Sequence, residues 1–151
     1  VIVRRGGLDH PATAALLSAH LADMHASSPP GSVYALNLSA LATPDIAFYT
    51  AWDGETLLGC GALRTLGDGL GEVKSMRTDG TARRRGVGQA VLDRIVADAR
   101  TAGLARLLLE TGTGAMFDAA HRLYRRNGFT PCPPFGGYVA TDFNRFLSLP
   151  L

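Results

Sequence analysis

Arg83-Arg84-Arg85-Gly86-Val87-Gly88 is a basic, glycine-bearing turn set between two stretches of different period. Before it, Glu72-Val73-Lys74-Ser75-Met76 alternates polar and apolar residues, the pattern of a half-buried strand. After it, Val87, Val91, Ile95 and Ala99 recur at helical spacing in a stretch that reaches Ala102. Strand, turn and helix in that order leave bare backbone N–H groups at a helix N-terminus. An anionic phosphate there meets unsatisfied donors and the positive end of the helix dipole. Three guanidinium groups beside it suit more than one phosphate.

Two familiar phosphate sites fail on residues. A P-loop needs Gly-Lys-Ser/Thr where this chain has Gly88-Gln89-Ala90. The dinucleotide fingerprint needs a third glycine where Val91 stands. What remains, Arg-x-x-Gly-x-Gly from Arg83 to Gly88, resembles the acyl-CoA pyrophosphate loop of the GNAT family of N-acetyltransferases. The resemblance runs along nearly the whole chain. Glu72–Thr78 looks like the family's central strand, Val87–Ala102 like the helix after the loop, and Arg106–Glu110 like the next strand. Met116–Asn127 with Gly128-Phe129 looks like the late helix and its exit. The string Glu72-Val-Lys-Ser-Met-Arg-Thr78 is similar to a subgroup of small bacterial acetyltransferases, as are Glu110-Thr-Gly112, Leu123-Tyr124, Cys132, Pro134-Phe135 and Ser28-Pro29-Pro30. The segment around Gly31, Tyr34 and Asn37 matches that subgroup less closely.

The resemblance implies acetyl transfer from acetyl-CoA to a primary amine by direct attack in a ternary complex. It implies that Met76, Arg77 and Thr78 meet the pantetheine arm and thioester, Met76 and Thr78 through main chain. Arg83, Arg84, Arg85, Gly86, Val87, Gly88 and Gln89 would then form the pyrophosphate cradle. Such chemistry needs a neutral amine, although a lysine-type amine has a pKa of about 10. Glu72 is the candidate base, directly or through a water; its bland alternative is a strand residue paired with Lys74. Strict alternation would put Glu72, Lys74, Met76 and Thr78 on one pleat face. Tyr124, with Phe117 and Ala120 on the inward face of its helix, is the candidate acid for the leaving thiolate. The alternative is a core tyrosine. Candidate acceptor-side residues are Met24, His25, Ser28, Tyr34, Phe135 and Tyr138.

Composition sets the frame. A chain of 151 residues, 46% hydrophobic and 19% charged, fits one domain over residues 1–151 with one core. A net charge of +2 argues by itself for neither nucleic acid nor membrane. Five of the fifteen basic residues fall in Arg77–Arg94, which suits a compact polyanion. No apolar run is long enough to span a bilayer, and Asp9, His10 and Pro11 interrupt any secretory-type apolar region. Cys60 and Cys132 lack CxxC spacing and read as free thiols of a reducing cytoplasm. His10, His20, His25 and His121 lack zinc-like spacing, so no metal is expected.

The remaining elements follow from local signals. Val1–Arg5 reads as a strand, then a helix capped by Asp9 with Pro11 in its first turn and a stripe of Leu17, Leu21 and Met24. Ser27-Ser-Pro-Pro-Gly31 ends it, and Val33–Leu41 reads as a short helix or turn. Ile46–Trp52 and Thr56–Thr65 flank the hairpin signal Asp53-Gly54, and Gly67-Asp-Gly69 turns into the central strand. Phe129–Thr130 and Asp142–Leu149 close the chain as strands, the last a possible sheet edge for a homodimer. The order β-α-α-β-β-β-α-β-α-β-β describes an α/β fold with a mixed, mostly antiparallel central sheet and helices on both faces. A CoA-binding regulator without turnover is the rival function, and nucleic-acid binding through the arginines a more distant one. A ping-pong route through Cys60 or Cys132 lacks a histidine near either in sequence.

Overall fold

The computed structural model describes residues 1–151. The chain folds into one seven-stranded sheet in the order β1-β2-β3-β4-β5-β7-β6. These strands are β1 (Ile2–Arg5), β2 (Ile46–Asp53), β3 (Thr56–Gly67), β4 (Leu70–Thr78), β5 (Arg106–Gly112), β6 (Thr130–Pro131) and β7 (Asn144–Pro150). Every neighbouring pair is antiparallel except β4 with β5. The helices are α1 (Pro11–Ser27), α2 (Leu38–Leu41), α3 (Val87–Thr101) and α4 (Asp118–Arg126).

Each face of the sheet carries its own apolar cluster. On one side α3 buries Val87, Val91, Leu92, Ile95 and Ala99 with Leu63, Val73, Leu107 and Leu109 of the sheet, and Tyr124 of α4 joins them. Burying each of the larger aliphatic side chains is worth about 1.5–3 kcal/mol. On the other side Leu16 and Leu17 of α1 and Leu41 of α2 meet Phe48, Cys60 and Ala62. The approach of α3 is so close that only glycine fits beneath it. A Cβ on Gly59 would come within 2.7 Å of Val87, and one on Gly61 within 2.7 Å of Val91. That contact pins the start of α3 beside the end of β4.

Several expectations need correction. His10, not Asp9, caps α1: its Nδ1 accepts from the Ala12 N–H at 3.1 Å, with Pro11 following in the first turn. The buried stripe of α1 is Thr13, Leu16, Leu17 and His20, while Leu21 and Met24 are only half-buried. Of Val33–Leu41 only the last turn is helical, started by Asn37, whose Oδ1 accepts from Ala40 N–H at 2.9 Å. The late helix begins at Asp118, after a 3-10 turn over Ala115–Phe117 that carries the Phe117 ring edge-on to Phe143. β7 is not an edge strand: β5 pairs with it on one side and β6 on the other. The sheet edges are β1 and β6, so the homodimer expectation loses the strand on which it rested.

The single-face expectation for β4 also fails. Lys74 pairs with Ala62 and Arg77 with Cys60, so β4 has one residue more than β3 between these pairs. The bulge centres on Ser75, which takes φ 55°. An inserted residue reverses the alternation beyond it. Glu72, Lys74 and Arg77 therefore share the α1 side of the sheet. Met76 turns to the other face, where its sulfur lies beside Gly61 and its side chain packs on the α3 cluster.

Candidate active site

β4 and β5 are paired only from Leu70 to Glu72, although both strands run on for several residues. Beyond Glu72 they diverge. The opening leads into a cleft of about 850 Å³, lined by both strands, the start of α3, one face of α4, the end of α1 and the segment after it. That volume is ordinary for a ligand site.

One end of the cleft is made of backbone. Arg84 and Gly86 take φ 64° and 75°, both left-handed, with Arg85 between them on the negative side. Such alternation turns successive N–H groups toward one concavity. No side chain caps α3, so its first N–H groups stay free for an anion. Arg83, Arg84, Gly86, Val87, Gly88 and Gln89 line this end, as do Met76 and Thr78 from β4, whereas Arg77, expected at the cofactor, turns toward α1 and lies 2.7 Å from Asp23. Arg85 does not; its Nη2 lies 3.0 Å from Asp53 on the outer side. The Gln89 amide is committed to Asn127, with contacts of 2.8 and 2.9 Å that tie the end of α4 to the start of α3. Arg122 and Arg126 of α4 also line the cleft, and sequence reasoning missed them. Their i, i+4 spacing on the face that carries Leu123 was the available signal.

Tyr124 comes from α4. It is 6% exposed, lines the cleft and tilts against Phe129 with ring centroids 5.6 Å apart. Burial pushes its phenol above the usual range, so it holds its proton at any physiological pH.

The other end is made of side chains. Glu72 is 3% exposed, and its Oε2 accepts from Lys74 Nζ at 3.3 Å and from the Tyr138 hydroxyl. Lys74 Nζ also donates to the Tyr138 oxygen at 2.6 Å. Both hydrogen bonds fall on Oε2, and Oε1 carries none. Burial first, and then the Glu72 carboxylate, push the Tyr138 phenol well above its usual range. Glu110, on the diverging β5, faces the same space; burial raises its pKa and the charge of Glu72 adds to the rise. Sequence reasoning gave Glu110 no role, although an acid on the strand that follows the helix was a signal.

Met24, Ser28, Tyr34 and Tyr138 line this half. Tyr34 meets Tyr138 edge-on, with centroids 4.8 Å apart, so two remote loops close over the acceptor end. His25 is exposed on α1 outside the cleft. Phe135 supports Tyr138 from behind, at 5.2 Å between centroids, without lining the cleft. Cys60 and Cys132 are free. Burial pushes the Cys60 thiol up to about 12, which leaves almost no thiolate, and neither cysteine lines the cleft. No group of His, Cys, Asp and Glu side chains here could hold a metal ion. No helix is long and apolar enough to cross a membrane.

A splayed sheet with a turn of free N–H groups at one end and the carboxylates of Glu72 and Glu110 at the other is the frame of an acyl-CoA-dependent transferase. Residues 13–129 match the acetyltransferase (GNAT) family, and the chain belongs to it. It is 45% identical over 149 residues to the N-acetyltransferase YedL of Escherichia coli, covering 99% of this chain and 94% of that one. It is 41% identical over 136 residues to the IAA acetyltransferase of Azospirillum brasilense, covering 89% and 86%. Among solved structures, an acyl-CoA N-acyltransferase from Klebsiella pneumoniae superposes with a TM-score of 0.79 at 24% identity, over 99% of this chain and 97% of that one. The chain is thus an N-acetyltransferase that draws its acetyl group from acetyl-CoA onto an amine.

Proposed function

We propose that the amine attacks the thioester directly, with both substrates in the cleft at once, and that the site residues divide the work as follows. The free N–H groups of the Arg83–Gly88 turn and of α3 hold the pyrophosphate, and Arg83, Arg84, Arg122 and Arg126 supply counter-charge. Main chain of Met76 and Thr78, freed by the splay of β4 from β5, holds the pantetheine arm and polarises the thioester carbonyl. The amine nitrogen forms its bond to the carbonyl carbon while the carbon–sulfur bond breaks. The amine proton passes to Glu72 Oε1, directly or through a water, and Tyr124 gives its proton to the departing sulfur. Lys74 and Tyr138 hold Glu72 in place through Oε2.

The observation that carries this reading is that Glu72 and Tyr124, from β4 and α4, line one cleft. Cys60 is buried and neither cysteine lines the cleft, which favours direct attack over a covalent acyl-enzyme. A cytoplasmic setting fits the supply of acetyl-CoA and the two unpaired thiols.

Thiol release from acetyl-CoA, followed over a panel of primary amines, tests the reading. Tyr124→Phe should lower kcat by about 100-fold while CoA affinity holds. An undiminished kcat would take Tyr124 out of the mechanism. CoA binding without release for any amine would mark a regulator instead.

A further inference from the structure

Four buried side-chain atoms have no hydrogen-bond partner: Thr13 Oγ1, His20 Nδ1, Ser75 Oγ and Arg77 Nε. Buried polar atoms are nearly always paired. Thr13 lies in the core face of α1, away from the cleft. His20, Ser75 and Arg77 all line the cleft, and Asp23 of α1 meets Arg77 there. All three orphans border one cavity.

Their chemistry agrees. Arg77 spends Nη1 on Asp23 at 2.7 Å, which fixes the guanidinium and leaves Nε pointing elsewhere. Burial, and then the Arg77 charge, hold the His20 pKa down at about 4. A neutral imidazole offers one N–H, and the Ser75 hydroxyl offers another donor. The set is three donors around one permanent positive charge. That suits a planar, singly charged anion better than a phosphate, because Asp23, Glu72 and Glu110 also line this half and would repel a double charge. The bulge at Ser75 puts Arg77 on the same face of β4 as Glu72, so the donors and the proton acceptor look into the same space.

We propose that this part of the cleft binds a carboxylate, and that the acceptor is a primary amine carrying one, an amino-acid-like zwitterion. Its carboxylate meets Arg77 Nε, Ser75 Oγ and His20 Nδ1, and its amine faces Glu72. The inference rests on the acetyl-transfer reading and names the substrate class within it.

Matched pairs test it: phenylalanine against phenethylamine, and leucine against isoamylamine, each with acetyl-CoA and a thiol readout. The carboxylate-bearing partner should show kcat/KM about 100-fold higher, the worth of one or two charge-assisted hydrogen bonds. Arg77→Met should collapse that ratio toward one mainly through KM, and Arg77→Lys should restore part of it. Ser75→Ala, a milder change, should lower the ratio several-fold and serves if Arg77→Met fails to fold. Equal or faster turnover of the decarboxylated amines, or of peptide N-termini, overturns this inference while acetyl transfer stands. No release with any amine, charged or not, would overturn the acetyl-transfer reading as well.

Discussion

The nucleotide end of the cleft is drawn largely from Met76–Gln89, a single run of chain, with one face of α4 added. The acceptor end takes residues from α1, the segment after it, β4, β5 and the loop before β7. The first works through main-chain donors and a helix terminus, and side-chain identity matters there chiefly for charge and for glycine. The second works through polar and charged side chains that hold one another: Lys74 on Glu72, half-exposed Asp23 on Arg77, and Tyr138 on both Glu72 and Lys74. A backbone site can be kept by a short motif. A site of such side chains depends on several elements arriving together, so its specificity can change while the motif stays.

The largest effect should come from breaking the backbone end alone. Gly86 takes φ 75°, a region that a β-branched residue rarely enters. Gly86→Val should therefore turn the donors away and weaken CoA binding by about 1,000-fold, the loss of two charge-assisted contacts. Calorimetry beside a thermal melt would check this, and an unchanged affinity in a folded variant would remove the turn from the site.

The acceptor end can be probed without touching the turn. His20 titrates near 6.5 in the unfolded chain and at about 4 in the fold, so the unfolded chain binds more protons between those values. Its contribution is complete above 6.5 and is lost as pH falls toward 4, amounting to up to about 3 kcal/mol. Denaturant unfolding across that interval should show the slope, and His20→Asn should flatten it. A wild-type slope in the variant would mean that other groups carry the acid sensitivity.

The sharpest discrimination lies between the two acids. Glu72→Gln should lower kcat/KM by about 100-fold. Glu110→Gln should cost only about 10-fold, as a neighbour whose charge tunes the site rather than taking the proton. If the two variants exchange places, Glu110 is the proton acceptor and Glu72 its support.

Much of the cofactor end was legible because its signals are local. The strand period of Glu72–Met76, the glycines at 86 and 88 and the helical spacing of Val87, Val91 and Ile95 lie within one stretch. The acceptor end was legible only as a set of residue types. Met24, Ser28, Tyr34 and Tyr138 did reach the cleft, whereas His25 and Phe135 did not, and Arg85 turned outward to Asp53. Nothing near those residues in sequence separates the two outcomes, since each depends on which helix face or loop edge another element covers.

By itself the sequence determined the order of elements, the glycine turn that starts α3 and the family, because period and turn chemistry act over a few residues. Only the tertiary structure decided which side of β4 Arg77 faces, that Glu110 joins Glu72, and that His20 Nδ1, Ser75 Oγ and Arg77 Nε belong to residues lining one cleft and lack hydrogen-bond partners. The physical reason is the bulge at Ser75 together with the parting of β4 from β5: one inserted residue reverses every side chain beyond it, and a gap between strands exists only once both strands are in place.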